Sequence, residues 1–257
     1  MGRRFGQHFL RPASVERLLR IVAPAADDVF LEIGPGAGAL TLPLAARCRR
    51  VVAVEVDAKL AERLAARVPE NVEIVRADAL TVDLASLVPT GARVAGNLPY
   101  YISSPLLRRI LTLKDHVRDA HVMLQDEVAR RIAGHPDSKE YGVLSVVIGL
   151  WADLDIPLRF GPGAFLPPPK VRSALLRIRF REKPRADAGS AEAFERLVEA
   201  AFARRRKTLE NNLQSVYPHL EGALKSLNLA GSRRAETLSV VEFARLAKAL
   251  EAAKEDD

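Results

Sequence analysis

The segment VFLEIGPGAG at residues 29–38 decides the fold class of this chain. Its first half is a run of apolar and β-branched residues, which is typical of a buried strand, and its second half contains three glycines. Glycines at this position let a ligand approach the backbone where a strand passes into a helix. The apolar residues at 40–46 predict the start of that helix. A strand, a glycine-rich turn and a helix in this order open a βαβ unit.

The same alternation continues on the C-terminal side of this unit. Apolar runs predict further strands, and amphipathic patterns between them predict helices, which together indicate a parallel sheet covered by helices. The strands are expected at residues 51–55, 72–75, 93–96, 121–124, 156–160 and 174–180, and the helices at 58–67 and 105–113. The apolar run at 141–151 exceeds normal strand length and favours a buried helix. The proline-rich segment 165–171 predicts a stiff loop.

Beyond a charged linker at residues 181–189, every pattern is helical. Helices are predicted at residues 191–203, 207–216 and 220–227, and a last one begins after Ser239, whose spacing to Glu242 is that of a capping box. We therefore predict an α/β domain over residues 1–181 and a small all-helical domain over residues 182–257.

Composition limits the class of protein. The chain has 257 residues, of which 48% are hydrophobic, enough for two cores. The single cysteine, Cys48, excludes an intrachain disulfide, and we see neither a signal sequence nor an uncharged stretch of membrane-spanning length. We expect a soluble cytoplasmic protein. The formal net charge of +7 and the basic run at residues 204–207 favour a polyanionic partner, although such a run can also be a solvated helix face.

The glycine turn alone leaves two classes of ligand open. Glu55 lies at the end of the second predicted strand, where a carboxylate binds ribose hydroxyls in dinucleotide and S-adenosylmethionine sites alike. Asp78 ends the third strand and could accept a hydrogen bond from an adenine amino group, or it could cap the following turn. Asn97 follows the fourth strand. Carboxyl ends of parallel strands share one crevice, so these side chains should converge with Gly34. Without an obvious hydride-transfer site, S-adenosylmethionine is the better ligand.

The tetrapeptide NLPY at residues 97–100 suits methyl transfer to an aromatic amine. The lone pair of such a nitrogen is delocalised into the ring until acceptors on both N–H bonds localise it. The side-chain oxygen of Asn97 and a backbone carbonyl held by Pro99 could supply these acceptors, and Tyr100 could stack on the base. By itself, such a tetrapeptide is more often a simple turn.

Seven motifs in order resemble those of the ribosomal RNA adenine dimethylases, with the greatest similarity to the bacterial 16S enzymes. They are GQHFL (6–10), EIGPG (32–36), VEVD (54–57), DA (78–79), GNLPY (96–100), LQDEV (124–128) and FLPPPKV (165–171). The similarity extends through RRKTL (205–209) and RAETLSV (234–240) and so covers nearly the whole chain. It implies a Rossmann-like class I methyltransferase domain with a mostly parallel seven-stranded sheet, followed by a helical domain that binds RNA and the ribosome.

The resemblance also implies a reaction. It is the S-adenosylmethionine-dependent, metal-independent transfer of two methyl groups to N6 of each of two adjacent adenosines. These lie in a hairpin loop near the 3′ end of 16S ribosomal RNA, within an immature small ribosomal (pre-30S) subunit. The implied enzyme is a monomer with a role in ribosome biogenesis.

Carried over by position, the resemblance assigns the methyl donor and the reacting base to two sets of residues. Donor-binding residues are His8, Leu10, Gly34, Glu55, Asp78 and Asn97, and catalytic residues are Asn97, Leu98, Pro99, Tyr100 and Phe165. Tyr100 and Phe165 are expected to clamp a flipped adenine from both faces. From the sequence alone, Phe165 would more often be a packing plug. Two positions depart from the family pattern: His8 replaces the Asn of many members, and Glu210 stands where a basic residue is expected.

Three other interpretations remain at this point. A relative that methylates 23S ribosomal RNA adenine would share the first domain. A DNA adenine methyltransferase would usually carry Pro in place of Leu98 and an inserted target-recognition segment, and neither is present. A non-catalytic assembly factor would bind pre-ribosomal RNA through its basic faces alone.

Overall fold

The computed structural model describes residues 8–255 of the chain, without the side chains of residues 254 and 255. Nine strands lie within these residues. They are β1 Phe9–Leu10, β2 Val29–Ile33, β3 Arg50–Glu55, β4 Val72–Arg76, β5 Ala92–Asn97, β6 Val117–Gln125, β7 Ala152–Phe160, β8 Phe165–Leu166 and β9 Ser173–Phe180. Two of them, β1 and β8, form a short antiparallel pair, so part of the predicted loop at 165–171 is bound to the N-terminal segment.

The other seven strands form one sheet in the order β4-β3-β2-β5-β6-β9-β7. Neighbouring strands from β4 to β6 are parallel, and β9 runs antiparallel to β6. The mostly parallel seven-stranded sheet predicted from the sequence is confirmed. β2 is buried along its whole length, as expected of a central strand covered on both faces.

Ten α-helices lie in the described part of the chain. They are α1 Pro12–Val22, α2 Thr41–Ala45, α3 Ala58–Ala65, α4 Ser103–Leu111, α5 Asp126–Ile132, α6 Val143–Trp151, α7 Ala191–Phe202, α8 Leu209–Leu213, α9 Leu220–Ser226 and α10 Val240–Glu255. The predicted capping box at the start of α10 is present, with reciprocal hydrogen bonds between Ser239 and Glu242. α8 is shorter than predicted because the side chain of Thr208 caps its start, so residues 207 and 208 precede the helix.

Strand register places the ends of the parallel strands at one edge of the sheet. Ile33 at the end of β2 pairs with Val54, and Glu55 at the end of β3 pairs with Arg76 of β4. Asn97 ends β5, on the other side of β2. Glu55 and Asn97 therefore flank the glycine turn that follows β2, as the crevice rule predicts.

Chain contacts divide the molecule into two compact units. Unit 1 contains the chain up to Ala129 together with Leu154–Phe180, and unit 2 contains Arg130–Asp153 together with the chain from Arg181 onward. This division differs from the single boundary after residue 181 expected from the sequence. The difference arises because the apolar helix α6 packs against α7 and α10, which makes it part of the core of unit 2.

Candidate active site

A cavity of about 390 Å³ opens at the carboxyl edge of the sheet in unit 1. Its volume lies within the usual range for small-molecule sites. Nine of the ten predicted site residues line it: His8, Leu10, Gly34, Glu55, Asp78, Asn97, Leu98, Pro99 and Tyr100. Phe165 is not among the lining residues.

The glycine turn after β2 forms one wall of the cavity. Gly34 and Gly36 have φ angles of 71° and 55°, a left-handed conformation that favours glycine. The Gly34 N–H donates to the carbonyl of Val54 (3.0 Å), which joins the turn to β3. A side chain at Gly36 would also bring its Cβ to 3.0 Å from the ring of Phe9. The turn therefore needs glycine for its conformation and, at Gly36, for space.

Glu55 is held by the backbone at both carboxylate oxygens. Oε2 accepts from the N–H of Gly36 and Oε1 from the N–H of Asp57, each at 3.0 Å. A carboxylate has about four acceptor positions, so roughly two remain for a ligand hydroxyl. The side chain is buried at 6% exposure, and its position is therefore set before a ligand arrives.

Glu32 also lines the cavity, although the prediction from the sequence did not include it among the site residues. It is 1% exposed, and its Oε2 has no hydrogen-bond partner among the residues that the structure describes. Burial raises the pKa of this carboxyl to about 7, with nearby Thr41 opposing the rise and the charge of Glu55 adding to it. A glutamate inside an otherwise apolar strand was the available signal. A buried carboxylate oxygen without a hydrogen-bond partner lowers the stability of the fold unless a ligand supplies a donor.

Asp78 makes a capping contact and also lines the cavity. Its Oδ1 accepts from the Leu80 N–H at 2.9 Å, so the side chain caps the turn after β4. It is also exposed and lines the cavity. Because one carboxylate oxygen has this structural partner, the capping contact fixes the other oxygen for use by a ligand.

The amide of Asn97 is oriented by the N-terminal segment. Its Nδ2 donates to the backbone carbonyl of His8 at 2.9 Å, and only the nitrogen of the amide can make this bond. Asn97 therefore offers its Oδ1 as an acceptor to a ligand. The ring of His8 is held in turn by its Nδ1, which donates to the carbonyl of Pro167 at 2.8 Å.

Leu98 and Pro99 form the rigid part of the NLPY turn. The Leu98 side chain is 1% exposed, and its N–H donates to the carbonyl of Met123 at 3.2 Å. Pro99 has φ −60° and ψ 127°, and its carbonyl accepts from the N–H of Ile102 at 3.2 Å. Both residues thus fix the backbone that follows Asn97.

Tyr100 is locked at its hydroxyl by a residue distant in sequence. The hydroxyl lies 2.7 Å from Oγ of Ser173, which is fully buried, and the ring stacks beside that of His8 with centroids 6.3 Å apart. Burial raises the pKa of the Tyr100 phenol, and the bond to Ser173 opposes this rise. Ser173 was missed in the sequence because nothing local distinguishes the first residue of β9.

The role of Phe165 as one half of a base clamp stays a prediction, and the structure places its ring in the core. Phe165 is 0% exposed and packs edge-on against Phe160, with ring centroids 6.3 Å apart. In this arrangement the aromatic surface of Phe165 stabilises the fold. The packing interpretation of an aromatic before a proline run is the one that the structure supports.

The basic run at residues 204–207 lies in unit 2. Arg204 donates to the carbonyl of Asn211 at 2.6 Å, and Arg205 pairs with Glu236 at 3.1 Å. Arg206 and Lys207 are exposed. These contacts assign part of the positive charge to the stability of unit 2 itself.

Comparison with known proteins identifies the family. The family model described as "Ribosomal RNA adenine dimethylase" matches residues 1–252. The chain belongs to the ribosomal RNA adenine dimethylase family. It is 44% identical to ribosomal RNA small subunit methyltransferase A of Bordetella avium (strain 197N), over 98% of this chain and 95% of the relative. With the protein of the same name from Legionella pneumophila (strain Corby) it shares 42% identity, over 96% of each chain.

Solved structures agree with this assignment. A dimethyladenosine transferase from Plasmodium falciparum has the same fold, with a TM-score of 0.81 and 23% identity over 97% of this chain and 98% of that one. The 23S ribosomal RNA methyltransferase ErmE superposes with a TM-score of 0.73 and 28% identity, over 95% and 99% of the two chains. The prediction of an S-adenosylmethionine-dependent ribosomal RNA adenine dimethyltransferase with a Rossmann-like domain is confirmed. Within residues 8–255, no helix of this dimethylase has the length and apolarity to cross a membrane.

Proposed function

We propose that this dimethylase transfers two methyl groups to N6 of each of two adjacent adenosines in a hairpin loop near the 3′ end of 16S ribosomal RNA. The immature small ribosomal subunit is the substrate, and a cytoplasmic monomer acting without a metal is the catalyst. The 44% and 42% identities to enzymes named for the small subunit support the choice of RNA. The observation that carries the proposal is the convergence of nine predicted site residues on one cavity.

In this proposal, the carboxyl edge of the sheet holds the methyl donor. Glu55 accepts from ribose hydroxyls with the acceptor positions left by its two backbone bonds, and the second oxygen of Asp78 accepts from the donor's adenine amino group. The Oε2 of Glu32, which has no hydrogen-bond partner in the described part of the chain, suits a ligand that carries positive charge, as S-adenosylmethionine does. The bound donor supplies an electrophilic methyl group on a sulfonium.

Asn97 acts on the target amine. Its Oδ1, oriented by the Nδ2 bond to His8, accepts one N–H of adenine N6. The Pro99 carbonyl is engaged by Ile102, so the carbonyl of Leu98 is our candidate for the second acceptor. Two acceptors hold the nitrogen lone pair out of the ring and in line with the methyl group, and this orientation is the main source of rate. The proton can leave afterwards to water.

Tyr100 supplies the stacking face for the target base. Its hydroxyl bond to Ser173 and its contact with His8 fix the ring before the base arrives. An adenine must leave its helical stack to reach such a site, and each aromatic stack contributes about 1–3 kcal/mol. Because Phe165 is enclosed by the core, we propose a one-sided stack on Tyr100 in place of the two-sided clamp.

Outside the cavity, exposed cations of unit 2 contact the RNA in this proposal. Arg206 and Lys207 are the members of the basic run that we assign to phosphates, since Arg204 and Arg205 have partners within the unit. Glu210 is exposed and lies in the first turn of α8. We expect its negative charge to weaken RNA contact by this helix.

A 23S ribosomal RNA adenine methyltransferase is the second candidate, supported by the match to ErmE over nearly its whole length. The higher identity to the small-subunit enzymes makes it the weaker one. A pure assembly factor is the weakest candidate, because all six residues proposed to hold the donor line one cavity.

Labelled methyl transfer tests the proposal. The protein is incubated with tritiated S-adenosylmethionine and, separately, undermethylated small subunits, mature small subunits, large subunits and naked RNA. We expect label on two adjacent adenosines of 16S RNA in undermethylated subunits. Label on 23S RNA would select the second candidate, and absence of transfer to any RNA would reject both. Binding to subunits with a normal maturation phenotype in Glu55→Ala cells would favour the assembly role.

A further inference from the structure

We propose that Tyr101 is a donor-positioning residue, which stacks on the adenosine of the bound methyl donor opposite Val56. This inference rests on the proposed donor site. Among the large hydrophobic residues that the structure describes, Tyr101 is the most exposed, at 63%, and it lines the cavity. Val56, at 60% exposure, is the other strongly exposed apolar residue of the lining. Apolar surface that is left open beside a cavity is a mark of a binding surface.

Tyr101 lines the same cavity as Asp78 and Glu55. The pKa of its phenol is raised by partial desolvation and then by the negative charges of Asp78 and Glu55. These are the two carboxylates proposed to hold the donor's adenine amine and ribose. The ring therefore lies near the groups that recognise the adenosine moiety.

Backbone geometry separates Tyr101 from Tyr100. Both lie in a single 3₁₀ turn, Tyr100–Ile102, in which consecutive side chains diverge by about 120°. Tyr100 points to Ser173 and His8 and is partly buried. Tyr101 cannot share that direction. The two tyrosines thus divide the work between the target base and the donor.

Val56 supplies the opposing face. It follows Glu55 at the end of β3, while Tyr101 follows β5, so the two side chains approach the cavity from strands on either side of β2. A planar ring between an aliphatic and an aromatic side chain buries both of its faces. Asp78 would then accept a hydrogen bond from the amino group at the edge of the same adenine ring.

Calorimetric titration with S-adenosylhomocysteine tests the inference. In Tyr101→Ala we expect the dissociation constant to rise by about five- to a hundredfold, the range of a single base–aromatic stack. Tyr101→Phe and Tyr101→Trp keep an aromatic face and should stay within about threefold of the wild type. Val216→Ala, which trims an exposed apolar side chain outside the cavity lining, should bind like the wild type.

Two further readouts separate this role from others. Adenosine alone, used as a competitor, should lose affinity in Tyr101→Ala in parallel with S-adenosylhomocysteine, while turnover at saturating donor stays close to the wild-type rate. Unchanged donor affinity with a raised KM for the RNA would overturn the inference, because Tyr101 would then contact the target. Equal donor affinities for the Ala and Phe variants would also overturn it. A wild-type protein that binds no S-adenosylhomocysteine would reject the donor site itself.

Discussion

The two ends of the central strands treat buried charge in opposite ways. At the amino ends, Arg93 of β5 lies at 6% side-chain exposure and binds Asp119 through two parallel hydrogen bonds of 2.9 Å. It also reaches Asp28 (2.8 Å) and the carbonyl of Val22 (2.8 Å). Near the carboxyl end of the neighbouring β2, Glu32 is buried, and its Oε2 has no hydrogen-bond partner within residues 8–255.

This difference shows that charges which stabilise the fold and groups available to a ligand lie at opposite ends of the same strands. Burial alone would raise the pKa of Asp28, but a bond from Ala25 and the charges of Arg93 and Arg118 hold it below its usual value. Burial instead raises the pKa of Glu32 to about 7. A charge that the fold needs is paired within the fold, whereas a polar group reserved for a ligand is left with unused hydrogen-bonding capacity.

The largest expected effect is a loss of stability on removing Arg93, which pairs with the acidic residues at the amino ends of the strands. Arg93→Met leaves the buried Asp28 and the partly buried Asp119 without their main counter-charge, and removing one partner of a buried pair costs about 3–5 kcal/mol. We expect urea unfolding to report this loss of stability. Donor affinity of the folded fraction should stay unchanged, and a combined Asp28→Asn, Arg93→Met, Asp119→Asn variant should recover part of the loss. A stable Arg93→Met protein with weak donor binding would contradict the comparison.

The next largest effect is expected at the binding end, in rate. Asn97→Ala removes the acceptor oriented by His8 and should lower turnover about a hundredfold, since this is the typical cost of losing one oriented group. Donor affinity should change by less than about threefold. Single-turnover methylation and calorimetry on the same protein measure both quantities. An equal loss in both would make Asn97 chiefly a donor ligand.

The Glu32→Gln variant tests whether burial of this carboxyl makes the stability of the protein depend on pH. With a pKa near 7 in the folded protein against 4.5 for the free side chain, folded Glu32 holds a proton that the unfolded chain has already released. Its contribution to stability therefore falls as pH rises from about 4.5 to 7. We expect Glu32→Gln to remove this slope and to be more stable above pH 7, by about 1–3 kcal/mol, while binding the donor more weakly. The prediction would be refuted if the difference in stability between the wild type and Glu32→Gln were the same at pH 5 and at pH 8.

The smallest effect tests whether the same rule extends to unit 2. Arg206→Ala combined with Lys207→Ala removes the two cations of the basic run that we assign to phosphates and should reduce the slope of log affinity against log salt by about 1–2. Arg205→Ala is the matched control, because its partner Glu236 makes it structural, and it should mainly lower stability. Filter binding to small subunits across a salt series measures the slope. A full slope in the double variant would make the run a solvated face.

Most of the fold could be predicted because its signals are local. The strand and glycine turn at residues 29–38, the strand ending in Glu55 and the capping box at Ser239 are each set by neighbours in the chain. Convergence of the site followed from one topological rule, that parallel strands end at a common edge. That rule required only the strand positions and not their packing.

The features that the sequence did not predict depend on residues far apart in the chain. The hydroxyl of Tyr100 meets Ser173 across 73 positions, and Phe165 is enclosed in a core cluster that includes Leu10 and Leu18. Residues 130–153 belong to unit 2 because α6 packs on α7 and α10. Exposure is a property of the assembled core, so a pattern that names an aromatic cannot say whether its face is free.

By itself, the sequence determined the βαβ order, the edge at which the site forms and the residue types available there, because backbone propensity and strand direction act over short distances. Only the tertiary structure decided which charges are paired and which remain open. Arg93 and Glu32 lie on adjacent strands, and both are buried and charged residues within apolar runs. Their difference arises from the segments that fold against each end, which supply partners at one and a cavity at the other.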